Sequence, residues 1–321
     1  MSELTIRKVN TNDLTTIAKI EEFLWNEPLD YRISKLNWKL KDLNNSKLGA
    51  VAFLNNELIG YRGIMFNIVK LNGQEFKLLH FTDAVVHEKA RGMSLLKKMN
   101  DFILDEYKNE FDFSYIYFPN NVSGHIYRSQ GHKDFHFVQF FRRCMVLPIS
   151  ISTTKFRIII DIDQIETILS NYQINKEKFH LVIDSDFIKW KLAEPEKKYI
   201  FCVSEDDKSV FTWIELKKYS IEIQMINFEK LNDCLKLAKS IARKYNKLIV
   251  NLPVIEFQDT KFREVFLKNR FHKWGFMNKL RANTSSHRPI LSKKLNDNLS
   301  PESIELFNNQ TLWEYHNITF V

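Results

Sequence analysis

The sequence predicts an α/β protein (α+β mixed sheet) made of two similarly ordered halves, and three observations predict it. Over residues 1–147, runs of β-type alternation and runs of helical period follow one another as strand, helix, hairpin, strand, helix and strand. A related order returns after residue 155. Finally, Asn37-Trp38-Lys39-Leu40 is echoed 152 residues later by Lys189-Trp190-Lys191-Leu192, each ahead of a predicted hairpin. The length of 321 residues agrees, at roughly 150 residues per domain.

Taken in order, Leu4 to Val9 alternates as a strand, and Asn12 or Asp13 caps a helix toward Trp25. Gly49–Leu54 and Leu58–Val69 flank an Asn55-Asn56 turn, and Asn72-Gly73 turns the chain into Glu75–Val86. Met93, Leu96, Met99, Phe102, Ile103 and Tyr107 recur at helical spacing, predicting a helix over 93–108 that packs one face on the sheet. Phe113–Phe118 reads as a strand, Ser123–Ser129 as a short helix, and Phe135–Leu147 as a final strand or strand pair. Pro148–Thr154 is polar and β-branched, so the predicted domains are 1–148 and 155–321.

In the second half, helices are expected at Ile165–Ser170, at Phe187–Leu192 behind an Asp184-Ser185-Asp186 cap, at Leu231–Tyr245 and at Thr260–Leu267. Strands are expected at Tyr199–Val203, Val210–Leu216, Ile221–Phe228 and Lys247–Leu252. Residues Asn283–Asn309, interrupted by Pro289 and Pro301, read as polar loop, and Leu312–Val321 as a last strand.

Composition bounds the function. With 26 Phe, 11 Tyr and 6 Trp the chain can fill substantial cores, which excludes a largely disordered protein. The formal charge of +8 suits phosphorylated ligands, nucleic acid or an anionic surface about equally. No basic reading helix or aromatic RNA motif accompanies it, so nucleic acid is not the expected partner. Cys144, Cys202 and Cys234 form no CxxC pair, and His125, His132 and His136 have no zinc spacing, so no metal is expected. The N-terminus lacks a signal-peptide run and no stretch approaches 18 uncharged apolar residues, which points to a cytoplasmic protein without a transmembrane segment.

Two segments carry chemistry. In the first, the strand ending Asp83-Ala84-Val85-Val86 runs through His87-Glu88-Lys89-Ala90 into Arg91-Gly92-Met93-Ser94, and a long helix follows. Free amides of a first helical turn can hold a pyrophosphate, Gly92 permits close backbone approach, and Arg91 adds charge. The second is Asn120-Asn121-Val122-Ser123-Gly124-His125-Ile126-Tyr127-Arg128-Ser129-Gln130-Gly131-His132.

Together these segments resemble the GCN5-related N-acetyltransferase (GNAT) superfamily, over residues 4–147. Lys89-Ala90-Arg91-Gly92-Met93-Ser94 looks like the family's Arg/Gln-x-x-Gly-x-Gly/Ala signature, which wraps the coenzyme A pyrophosphate, with Lys89 in the leading position and Ser94 in the last. Asn120 falls where the family contacts the pantetheine arm, and Tyr127 on the tyrosine that serves as general acid toward the leaving thiolate. His132 replaces the usual Phe after Gly131. The resemblance implies a GNAT-like fold, acetyl-CoA as cosubstrate, and transfer of acetyl to the amine of a small metabolite or amino sugar. A protein lysine as acceptor, or acyl-CoA binding without catalysis, are the alternatives.

It also implies an oxyanion contact from the backbone of Val85 or Val86. For the base, Asp83 is favoured, either removing a proton or orienting the acceptor, and His80 comes next. Regular alternation would put Phe81, Asp83 and Val85 on one face of that strand and His80 on the other, a parity that a β-bulge would break.

The second half has no Gly from position 132 through 274, so a single coenzyme A per chain is expected. Phe271-His272-Lys273-Trp274-Gly275-Phe276 resembles the family's terminal Tyr-x-x-x-Gly-Phe, with Phe271 at the tyrosine position, which implies a degenerate half building one wall of an acceptor cleft. Trp38, Tyr61, Arg62, Trp190, Trp213 and Glu215 are the candidate wall residues. Cys144, beside Arg142 and Arg143, reads as a buried small hydrophobe.

Overall fold

A computed structural model describes residues 3–40, 49–117, 121–135, 139–146, 154–172, 179–255, 260–273 and 290–309. The first half runs β1 (Leu4–Lys8), α1 (Leu14–Trp25), α2 (Leu29–Leu40), β2 (Gly49–Leu54), β3 (Glu57–Leu71), β4 (Gln74–Val86), α3 (Leu95–Tyr107), β5 (Phe113–Tyr117), α4 (Asn121–Ser129), β6 (Lys133–Phe135) and β7 (Gln139–Met145). The second runs β8 (Phe156–Ile159), α5 (Ile162–Tyr172), β9 (His180–Leu181), α6 (Ser185–Leu192), β10 (Tyr199–Ser204), β11 (Phe211–Leu216), β12 (Ser220–Ile226), α7 (Leu231–Lys244), β13 (Ile249–Ile255), α8 (Arg263–Lys268), β14 (His272–Lys273), β15 (Ile290–Lys294) and α9 (Pro301–Asn308).

Local chemistry sets these boundaries. Asn10 accepts the Asn12 amide while the Asp13 carboxylate accepts the Asn10 amide, a reciprocal cap that launches α1 through a short 3₁₀ turn. Asn55 and Asn56 both have positive φ (49° and 65°), the conformation a tight hairpin of this hand needs and that Asn tolerates. Asp184 accepts the Phe187 amide at 2.8 Å and opens α6 as the sequence predicts.

The described strands form two mixed sheets. One has the order β1-β2-β3-β4-β5-β15-β6, with β9 on the far end of β3. The other has the order β14-β7-β13-β12-β11-β10-β8. Within each sheet one pair is parallel, β4 with β5 and β12 with β13.

The halves exchange strands. β7, from the end of the first half, lies between β13 and β14, while β15, near the C-terminus, lies between β5 and β6. The polar loop expected over 283–309 is therefore corrected in its described part. Ile290 and Leu291 enter the core, and Ser300 caps α9 with Pro301 at its first position. Short length and neighbouring Lys and Asn hid both elements. Phe307 of α9 stacks on Phe113 of β5 with centroids 3.6 Å apart. The boundary expected at Pro148, and the strand expected over Leu312–Val321, lie outside the described residues.

The echoed tetrapeptide proves to be a point of pseudo-twofold contact. Trp38 of α2 and Trp190 of α6 stack with centroids 4.4 Å apart and planes 9° apart. Each indole N–H donates to the other's carbonyl oxygen, Trp38 to Trp190 at 2.7 Å and Trp190 to Trp38 at 3.1 Å. Both indoles are buried, and reciprocal bonding satisfies two polar groups that would otherwise be stranded there. Trp38, Tyr61, Arg62, Trp190, Trp213 and Glu215, the residues expected to wall the acceptor cleft, are all buried.

Because the sheets share strands, a nick between residues 148 and 155 is expected to leave both fragments associated. Gel filtration of the nicked protein should show one species that separates only in denaturant; two species under native conditions would contradict the exchange.

Candidate active site

The site begins where two parallel strands part. β4 pairs with β5 from Leu78–Phe113 to Phe81–Ile116, and β4 then runs on to Val86 without β5 beside it. At the parting, β4 is bulged against β3: Arg62 faces Ala84 and Ile64 faces Phe81, so Thr82 and Asp83 together oppose Gly63. The regular parity expected from sequence is corrected by this extra residue. Phe81 packs into the core under α3, whereas Val85 packs into the core under α1 and α2. Downstream, the His87 amide donates to the Ile59 carbonyl at 2.8 Å. Alternation of an antiparallel ladder then turns the Val85 amide toward β3, and the Ala84 and Val86 amides toward the side that β5 has left.

Arg62 holds the bulge in place. The residue is 1% exposed, and its guanidinium donates to the carbonyl oxygens of Thr82 and Asp83, to the Asn100 amide oxygen and to the Tyr127 hydroxyl. It also lies 4.8 Å from the Phe81 ring centroid. Tyr127, on α4, is likewise 1% exposed, and burial raises its phenol above the usual range despite Arg62. Tyr127 and the bulge are thus joined through one buried cation.

On the other face, α1 and α2 bring a cluster of charges to Asp83. Lys39 pairs with the Asp83 carboxylate. Burial opposes ionisation of Asp83, but Lys39, with Lys35 and Arg32 behind it, outweighs burial and holds the carboxyl below its ordinary range. Glu21 lies in the same cluster, with Arg32 at 3.7 Å. His80 is unsuited to the role of base: it stacks on Tyr115 at 4.5 Å, and burial followed by Arg62 depresses it to about 3.

Beyond Val86 the chain makes the turn the sequence predicts. His87 accepts the Lys89 amide at 3.2 Å and caps a 3₁₀ turn over Glu88–Ala90. Gly92 then takes φ +84° and Ser94 φ 54° before α3 starts at Leu95. A Cβ on Gly92 would meet no atom within 4 Å, so what restricts this position is the left-handed backbone and the open space above it. Arg91 is exposed, and Lys89 is paired with Glu57 at 2.7 Å. A groove of about 370 Å³, lined by Thr16, Lys19, Glu57, His87, Glu88 and Arg91, runs beside the turn. Asn120 lies outside the described residues. Met93 is partly buried against the α3 core, so it serves the turn through its backbone.

No protein-family sequence model matches the chain, and no curated protein matches it by sequence. Solved structures do. A GCN5-related N-acetyltransferase from Anabaena variabilis superposes with a TM-score of 0.67 at 9% identity, covering 92% of this chain and 73% of that one. One from Kribbella flavida gives 0.63 at 10% identity, over 92% and 72%. This is the GCN5-related N-acetyltransferase fold. Saccharomyces cerevisiae N-myristoyltransferase, solved with bound myristoyl-CoA, gives 0.57 at 12% identity over 99% of this chain and 84% of that one, so the likeness runs through both halves.

Within the GNAT fold the second half keeps the frame and drops the turn. β12 parts from β13 after Glu222–Asn251 and has its own register shift against β11 beside Trp213. Asn227 accepts the Glu229 amide and caps a 3₁₀ turn, as His87 does. There α7 starts four residues after Asn227, whereas α3 starts eight after His87. The missing four correspond to Arg91-Gly92-Met93-Ser94.

The register expected for the terminal motif of this half is corrected. The His132 amide donates to the Tyr127 carbonyl, and the Phe271 amide to the Phe266 carbonyl. Gly131 and Arg270 take the same left-handed turn, φ 87° and 62°. Phe266, not Phe271, stands at the tyrosine position; an Arg where Gly is usual concealed this. Cys144 is buried and burial raises its thiol, as a small hydrophobe. Among the described residues no group of three or more His, Cys, Asp or Glu could hold a metal, and no helix is long and apolar enough to cross a membrane.

Sequence reasoning did not give Lys39, Glu21 or the bonds of Arg62 a role. A signal existed. Leu14, Ile17, Ala18 and Glu21 share one helical stripe, as do Arg32, Leu36 and Lys39, so charges sit at core positions of both helices.

Proposed function

We propose that this chain is an acyl-CoA-dependent N-acyltransferase that transfers acetyl to the amine of a small metabolite or amino sugar. The observation that carries the reading is the parting of β4 from β5 next to a bulge, followed by the left-handed Gly92 turn ahead of α3. The residues fit coenzyme A, because first-turn amides of α3 and the open space at Gly92 form an anion cradle with Arg91 at its rim. Acetyl-CoA supplies a thioester carbonyl and a thiolate leaving group.

In this reading the Val86 amide donates to the carbonyl oxygen as charge gathers on it. Tyr127 donates its hydroxyl hydrogen to sulfur, while Arg62 donates to the Tyr127 oxygen and fixes the ring. Asp83, held ionised by Lys39, orients the acceptor ammonium.

Acetyl-CoA incubated with the protein and a panel of amines, amino sugars and lysine peptides, with thiol release and product mass as readouts, tests the reading. No product from any amine would overturn it. Gly92→Val puts a β-branched residue at φ +84° and crowds the cradle, so the dissociation constant for coenzyme A should rise at least tenfold by calorimetry in a folded variant. Wild-type affinity would remove this turn from the site.

A further inference from the structure

We propose that Glu21 is the carboxylate that takes the proton from the acceptor's ammonium, a step that rests on the N-acyltransferase reading above. An amine attacks only when neutral, so the acceptor side needs a group that is ionised but ready to accept. Asp83 does not meet that need, since Lys39 is bound to it. Glu21 is the second carboxylate of the cluster, and its surroundings differ.

The Glu21 side chain is 1% exposed; among the described residues one of its oxygens has no hydrogen-bond partner, and the other has only Arg32 at 3.7 Å. Arg32 is itself committed to Glu27 at 2.7 Å. An ionised carboxylate so poorly bonded is costly to bury, and a proton from a ligand relieves that cost. The groups facing it are Arg32, Lys35 and Lys39 from α2, Asp83 from β4 and Tyr61 from β3. Burial, then the charge of Asp83, pushes Glu21 up to about 7 against the three cations. The two carboxylates are thus driven in opposite directions, the pattern that separates an ionised orienting group from a proton acceptor. Asp83, with 19% of its side chain exposed, is the opening of the cluster toward solvent.

The step balances. The ammonium gives one proton to Glu21, the neutral amine forms the C–N bond, and the C–S bond breaks. The sulfur gains a proton and the new amide nitrogen loses one. The proton on Glu21 then passes to water.

Two measurements decide the proposal. In protein labelled with ¹³C at Glu carboxyls, the signal lost in Glu21→Gln should titrate near neutrality; a midpoint in the ordinary carboxylate range overturns the proposal. In single-turnover thiol release from acetyl-CoA with glucosamine as probe amine, Glu21→Gln should slow release at least tenfold at pH 7 and remove the limb of the pH profile near neutrality, while Glu21→Asp should keep a limb. A merely structural role would leave the profile's shape unchanged, and that result, or an unchanged rate, overturns the proposal alone. If the wild-type protein transfers acetyl to neither glucosamine nor any other amine, the N-acyltransferase reading fails first and the proposal with it.

Discussion

Replacing Arg62 by Met is expected to lower the free energy of unfolding by about 4 kcal/mol, because three or more buried acceptors lose their donor at roughly 1–3 kcal/mol each, less some relaxation. Met fills much of the volume but offers nothing to the carbonyls of Thr82 and Asp83 or to the Tyr127 hydroxyl. The bulge should relax toward regular pairing, and Asp83 should leave Lys39. Urea unfolding followed by fluorescence reads the loss. A change below about 1 kcal/mol would mean that the bulge is held by β3 pairing and not by the cation.

Tyr127→Phe should slow the chemical step on the order of 10²-fold with acetyl-CoA affinity nearly retained, the range for a positioned acid. The ring volume is preserved, so packing against Phe81 and His132 survives. One Arg62 N–H loses its acceptor, so a stability loss of about 1–3 kcal/mol should accompany the kinetic one. Single-turnover kinetics at saturating acceptor separates the two effects. An unchanged rate in the destabilised variant would leave Tyr127 as an anchor for Arg62 and nothing more.

The parts legible in the sequence were those with local causes. The hairpins at Asn55-Asn56 and Asn72-Gly73, the cap before α6 and the Arg91-Gly92 turn all declare themselves within a few residues. The Trp-Lys-Leu echo carried long-range information, and the stacked Trp38 and Trp190 account for it. Three things escaped because distant partners create them. β15 is a strand only because β5 and β6 flank it. The bulge at Thr82-Asp83 depends on a guanidinium from a neighbouring strand. The separation of Glu21 from Asp83 comes from burial and from the direct bond to Lys39, which Asp83 has and Glu21 lacks.

The exchanged strands also set a timetable for the protein's making. A chain leaves the ribosome from its N-terminus, and domains ordinarily fold as their own residues emerge. Here β5 and β6 are made by residue 135, yet the strand that joins them begins at Ile290. Until β15 is made, the first sheet therefore leaves the edge of β5 that faces away from β4 open, and β6 without a partner, a state prone to wrong pairing. A nascent chain arrested after β13 should remain dependent on chaperones, and the proposed catalytic half should gain activity only once β15 (Ile290–Lys294) has been made.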